Sequence, residues 1–419
     1  MENKFEEENI KAFIDYWKSG VKKTARNIGI ELEQFVVNGD NTPVTYNQEH
    51  GIKWLLNELA DTYPKVTTNA NGDTLGVSRK NEAITLEPAG QVEISAGPYD
   101  DLNNAYEVFK NYQETLTSIL KSHDMRLLQL GYRTKSKAKD LPLIPKKRYI
   151  YMDRYLSKTG RLSKCMMRGS ASTQISIDYT SIDDCMTKLK LAFALTPILS
   201  LICDNTPIFE ESKWNNNIAR TQIWNNVDNK RCGLITNVFN TDFKLEDIAR
   251  YILNNVSIIK PINQTEWQYS EDSFNKIYSD KKMTQFDIEH ALSMVFTDVR
   301  LKNYIEIRPA DSMPIDYVIS YAALIKAIFY SNDNIKTLQS LFNNVDSKKY
   351  NQAKENLIKD GYNAHVYSLP VTDICDLICR LATSSKSGLL DSERHLLNPL
   401  LNLIKEHATL SDIFKRRHL

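Results

Sequence analysis

Gly29-Ile30-Glu31-Leu32-Glu33-Gln34-Phe35-Val36-Val37 is the stretch on which the reading of the fold turns. A period of two places Ile30, Leu32 and Val36 on one face of a strand and Glu31, Glu33 and Phe35 on the other. Neighbouring carboxylates on a half-buried sheet repel, and each has its pKa pushed up unless a cation stands between them. A divalent metal relieves that repulsion. A solvated polar face on an ordinary antiparallel strand is the plainer alternative for a single Glu-x-Glu. Similar strands downstream shift the balance towards the metal.

Residues 83–95 set Thr85, Glu87, Gln91 and Glu93 in one parity, with Pro88 and Gly90 interrupting the run. Read alone, this stretch equally fits a hairpin with two exposed glutamates. Residues 172–179 alternate Gln174, Ser176 and Asp178 against Ile175 and Ile177, as a half-buried antiparallel strand does. Residues 301–311 put Tyr304, Glu306 and Arg308 on one face, with a surface ion pair as the alternative for the last two.

Between these strands the apolar spacing is helical at 9–19, 51–63 and 102–123. Residues 133–148 hold seven Lys or Arg, and Pro142 and Pro145 keep 141–149 from forming a regular helix. Such a basic loop is either solvated or, beside a carboxylate-metal cluster, suited to nucleotide phosphates. Residues 183–204 read as a helix kinked at Pro197, and 220–233 as a loop or short strand. Arg220 there fits a carboxylate ligand, and a solvated loop fits as well. From Tyr317 the pattern is helical, so 1–319 is expected to be the core and 320–419 a helical region packed on it.

Composition excludes more than it selects. The 53 Lys and Arg balance 52 Asp and Glu, and a net charge of +1 argues against a general nucleic-acid binder. The start, Met1 to Glu8, is acidic and lacks the apolar core of a signal peptide. The most apolar run, 191–203, is short for a membrane span and contains Pro197. A cytoplasmic protein without membrane or nucleic-acid partners is expected. The six cysteines form no Cys-x-x-Cys pair, and Cys375 and Cys379, at i and i+4, read as buried free thiols.

Taken together, the motifs resemble the glutamate-cysteine ligase family in its plant-type and bacterial branch. The resemblance runs from about Asn9 to Pro314. It rests on Gly29-Ile30-Glu31-Leu32-Glu33, Ile84-Thr85-Leu86-Glu87-Pro88, Gln91-Val92-Glu93-Ile94-Ser95, Pro145-Lys146-Lys147-Arg148-Tyr149, Met166-Met167, Gln174-Ile175-Ser176-Ile177-Asp178, Asn205-Thr206-Pro207, the segment 220–233, and Phe296-Thr297-Asp298-Val299-Arg300-Leu301-Lys302 running into Tyr304-Ile305-Glu306-Ile307-Arg308. Their order and spacing are specific where each alone is weak.

The resemblance implies an α+β fold related to glutamine synthetase, with a curved antiparallel β-sheet funnel, surrounding helices and a helical C-terminal region. It implies ATP-dependent ligation of the γ-carboxylate of L-glutamate to the amine of L-cysteine, the first step of glutathione synthesis. Another amine acceptor is the alternative. Glu31, Glu33, Glu87, Glu93, Glu306 and Gln174 would hold two or three Mg²⁺, with Mn²⁺ as a substitute. Arg148, Arg308 and Lys146 would bind ATP, with Arg148 and Arg308 catalytic at the transferred phosphoryl group. Arg220 and Trp224 would bind glutamate. A monomer or homodimer is expected. Glu306→Gln and Arg308→Ala are each expected to abolish turnover and leave the fold intact. Ser176 and 309–314 depart from the plant-type pattern, and no positions match its regulatory cysteines.

Overall fold

The computed structural model describes residues 4–263 and 266–419, so Met1, Glu2 and Asn3 of the acidic start lie outside it. The Glu-x-Glu stretch is strand β1, Ile28–Asn38. Ile28, Ile30 and Leu32 are buried on its core side, while Glu31 and Glu33 take the opposite face. Around it lie β2 (Lys65–Thr68), β3 (Thr74–Arg79), β4 (Glu82–Leu86), β5 (Val92–Tyr99), β6 (Met125–Leu128), β7 (Ser172–Ile177), β8 (Val299–Leu301) and β9 (Ile305–Asp311). These nine strands form one antiparallel sheet in the order β8-β9-β7-β1-β5-β4-β3-β2, with β6 paired to the far half of β1.

Register carries the polar face across the sheet. Arg300 pairs with Glu306, Glu306 with Ser176, Gln174 with Glu31, Glu33 with Glu93, and Glu93 with Thr85. Side chains alternate along every strand, so partners in register share a face. Six strands thus present one continuous polar surface. Glu87 joins it from the turn after β4, where Gly90 has φ +79° and a Cβ would come within 3.2 Å of Ile52.

Helices cover the other face. Leu102–Lys121 begins at Asp101, whose side chain accepts from the Asn103 N–H, and buries Leu102, Ala105, Phe109, Tyr112, Leu116 and Leu120. Each of the Leu and Phe side chains contributes about 1.5–3 kcal/mol by leaving water. Ile315–Phe329 is buried along nearly its whole length and runs through position 319. Its Lys326 meets Glu393 at 2.6 Å inside the core, and Glu393 also accepts from Leu102 N–H. The C-terminal helices and the sheet share one hydrophobic core, and the fold is α+β.

Three local expectations change. Residues Ala219–Trp224 are a helix, because Arg220, Thr221 and Ile223 turn one face inward. A helix starts at Lys147, two residues after Pro145 and with Lys146 as its N-cap, since proline is tolerated ahead of a helix; Arg148 therefore stands in a first turn. The helix expected over 183–204 is found as Ile182–Ile202; what changes is its span, which by length and composition is enough to cross a membrane, but 83% of its most apolar window is buried in the protein. All six cysteines are free and buried.

Candidate active site

The polar face of the sheet is the floor of a 280 Å³ cavity. Glu31, Glu33, Glu87 and Glu93 line it from β1, β5 and the β4–β5 turn. Arg300, Lys302 and Arg308 line it from β8, β9 and the segment between them, joined by Arg148 and Arg220 from helices. The acidic wall thus rises from the central strands β1 and β5, and the basic wall from the β8–β9 edge of the sheet. Met152, Met166, Met167, Trp224 and Phe296 supply an apolar side. A second cavity of 790 Å³ adjoins at Glu31 and is walled mainly by polar residues, including Ser78, Arg79, Asn81, Ser95 and Asn303.

On the acidic wall, burial raises Glu31, then Glu306 adds to it, while burial and Glu87 push Glu33 up to about 7. Glu93 is raised well above the carboxylate range by burial and by Glu31, Glu87 and Glu33. Its polar contacts are Thr85 Oγ1 at 2.9 Å and Ser95 Oγ at 3.5 Å. Glu33 is better held: Ser172 donates to it from N–H and Oγ, both at 2.8 Å, and Gln174 Nε2 donates at 3.3 Å.

The basic wall is built around Glu306, which is 0% exposed. Arg300 Nε and Nη2 and Arg308 Nη1 lie 2.7 Å from its Oε2, and Lys302 Nζ lies 2.9 Å from Oε1. Burial would raise this carboxyl, but the three cations hold it far below the usual range. Arg308 also donates to Gln174 Oε1, so Gln174 bridges Glu33 and Arg308. The oxygen a metal would use on Gln174 is thus engaged. Arg148 is fixed by Ser293, to Oγ at 3.0 Å and to the carbonyl at 2.8 Å.

Of the residues expected from sequence, Glu31, Glu33, Glu87, Glu93, Gln174, Arg148, Arg220, Trp224 and Arg308 meet in this cavity. Glu306 does not line it but stands behind three cations that do. Lys146 lies beside the cavity, with Nζ 4.7 Å from the centre of the Tyr149 ring. Sequence reasoning gave no role to Arg300 and Lys302, although their shared parity in Val299-Arg300-Leu301-Lys302 was the available signal.

Oxygen-only donors on a buried acidic wall fit a hard divalent cation such as Mg²⁺. Among the described residues no three His, Cys, Asp or Glu converge to chelate a metal unaided. Mg²⁺ is commonly held by one or two carboxylates together with substrate phosphates, and the facing cations suit such an anion.

The profile of glutamate-cysteine ligase family 2 matches residues 27–365. The chain belongs to this family. It is 27% identical over 384 residues to a protein named glutamate–cysteine ligase B, chloroplastic, from Oryza sativa subsp. japonica, covering 89% of this chain and 76% of the relative. The chloroplastic glutamate–cysteine ligase of Arabidopsis thaliana is also 27% identical, with 94% and 72% covered. The crystal structure of a Francisella tularensis glutamate–cysteine ligase in complex with AMP superposes with a TM-score of 0.57 at 12% identity, covering 95% of this chain and 86% of that one. The glutamine-synthetase-related fold and the activity implied by the motifs, ATP-dependent formation of γ-glutamylcysteine, are borne out. The cytoplasmic placement is not: the matched plant ligases are chloroplastic, and that expectation is withdrawn.

Proposed function

We propose that the two walls of the 280 Å³ cavity divide the ligase reaction between them. The observation that carries this reading is the facing of four carboxylates by five cations in one cavity. Arg220 holds the α-carboxylate of L-glutamate beside Trp224, whose ring lies 5.6 Å from its guanidinium carbon. Arg148, Arg300, Lys302 and Arg308 receive the triphosphate, and Lys146 supports it from beside the cavity. The nucleoside, too large for the remaining space, occupies the 790 Å³ cavity beyond Glu31.

The γ-carboxylate oxygen attacks the γ-phosphorus, the bond to the ADP oxygen breaks, and γ-glutamyl phosphate forms. The cysteine amine then attacks the acyl carbon, phosphate leaves with the acyl oxygen bond, and the amine loses a proton. Arg148 and Arg308 stabilise the charge that gathers on the transferring phosphoryl oxygens. Glu31, Glu33, Glu87 and Glu93 would hold two or three Mg²⁺ against the phosphates, Mn²⁺ serving as well, with Glu306 and Gln174 as further ligands once they exchange their cations and Arg308. Bound there, Mg²⁺ offsets the repulsion between an anionic donor and ATP.

Residues 1–319 act as the catalytic core in this reading, with 320–419 packed against it. In this reading the chain acts as a monomer or homodimer. The test is incubation of the full chain with Mg-ATP, L-glutamate and a mixture of amino-acid and amine acceptors, read by mass spectrometry alongside ADP. Dominant γ-glutamylcysteine is expected. Absence of both product and ADP would overturn the proposal.

A further inference from the structure

The helix Ser347–Asp360 belongs to the region where the sequence shows no chemistry, yet it reaches the edge of the active site. Two of its side chains, Tyr350 and Lys354, bind Asp298 Oδ2, with Lys354 Nζ at 2.9 Å and the Tyr350 hydroxyl closer still. Tyr350 is itself tied to Thr196 Oγ1 at 2.9 Å. The Lys354 and Asp298 side chains are only 6% and 15% exposed, so water screens their attraction little. Burial would raise the Asp298 carboxyl, but Lys354 and the hydrogen bond from Tyr350 keep it below its ordinary value, hence ionised.

Asp298 connects this helix to both substrate-facing arginines. Its carbonyl accepts the Arg308 N–H at 3.1 Å, and its own N–H donates to Gly233 O at 2.8 Å. With Arg220 and Arg308 it lines a 20 Å³ void behind the catalytic cavity, room for about one water. Arg220 Nε is buried there without a hydrogen-bond partner among the described residues. Asp298 and Arg220 attract each other across that void, adding to the stronger pulls of Glu33 and Asp311 on the guanidinium. An unpaired guanidinium aimed at a carboxylate ligand needs such a fixed countercharge behind it, because its rotamers are otherwise costly to order.

We infer that Asp298 is a positioning residue for the glutamate end of the ligase site, anchored by Lys354 and Tyr350 of the C-terminal helix and acting through Arg220. The inference rests on the reading of Arg220 as the holder of the glutamate α-carboxylate. It makes glutamate affinity depend on a helix that touches no substrate.

Steady-state ADP release by the full chain, with glutamate and ATP varied separately, tests this in wild type, Lys354→Met, Lys354→Arg and Tyr350→Phe. Lys354→Met is expected to raise KM for glutamate about tenfold while KM for ATP stays within about twofold, and Lys354→Arg to restore most of the loss. Tyr350→Phe removes one hydroxyl and is expected to move the same constant by about threefold, which keeps the test decisive if Lys354→Met does not fold. Unchanged glutamate KM in an active variant overturns the inference alone. Equal rises for both substrates with a lowered melting temperature assign Lys354 a merely structural role and also overturn it. Wild type that forms no γ-glutamylcysteine would instead remove the ligase reading beneath it.

Discussion

Glu33 of β1 lies directly across from Glu93 of β5, a buried and a half-buried carboxylate in register on the polar face of one sheet. A pair placed this way is costly without a cation. Mg²⁺ with a non-hydrolysable ATP analogue at about 100 times its Kd is expected to stabilise the wild type by about 2–3 kcal/mol. Glu93→Gln should gain less than half of that. Thermal melts with and without the ligand pair check it, and an equal gain in the variant would remove Glu93 from the metal set.

Glu306 is ion-paired with three cations at 0% exposure, so the two substitutions at this point part company. Glu306→Gln leaves the half-buried Arg300, Lys302 and Arg308 together without the carboxylate they all contact, Glu31 being the nearest charge left to them, and is expected to cost about 3 kcal/mol of stability. The expectation that it would spare the fold is revised. Arg308→Ala leaves Glu306 with two cations and should fold, while turnover drops about 10²–10³-fold. Urea titration and ADP release together separate the two effects.

Arg220 has its Nε buried without a hydrogen-bond partner among the described residues, and burial lowers its pKa, with Glu33 and Asp311 opposing. Arg220→Lys keeps the charge but loses the planar fork that grips a carboxylate. KM for glutamate is expected to rise about 10-fold in Arg220→Lys and about 100-fold in Arg220→Ala, with KM for ATP little changed. A matching rise for ATP would move Arg220 to the phosphates.

Asp311, at the end of β9, is 2% exposed and has its carboxyl pushed up to about 6 from 3.8 by burial, against hydrogen bonds from Asn205 N–H and Thr206 Oγ1. A raised folded-state pKa means that the folded chain keeps this proton between about pH 4 and 6 while the unfolded chain releases it. Stability from this group is full below about pH 4, declines as pH rises, and is gone above about 6, a change of up to about 3 kcal/mol. Asp311→Asn should flatten that part of the stability profile. Denaturant melts at pH 4 and pH 7 on both proteins read the difference, and identical slopes would contradict it.

Much of the site was legible in the residues. Parity alone put Glu31, Glu33, Glu87, Glu93, Glu306 and Arg308 on polar faces, because alternation is a local property of an extended chain. Of 220–233, read as loop or short strand, the part carrying Arg220 proved helical while Cys232–Gly233 is a short strand, since the inward face around Arg220 is set by what packs on it and not by its own pattern.

The sequence by itself determined the antiparallel strands, the acidic and basic side chains they offer, and the family. Tertiary structure decided which of those charges meet. Register across five strands put Glu33 opposite Glu93 and gathered Arg300, Lys302 and Arg308 on Glu306. Packing left Lys146 beside the cavity and brought Lys354 to Asp298, 56 residues away in the chain. Alternation fixes a face within one strand, whereas neighbours across strands and helices depend on register and core packing, which no local pattern encodes.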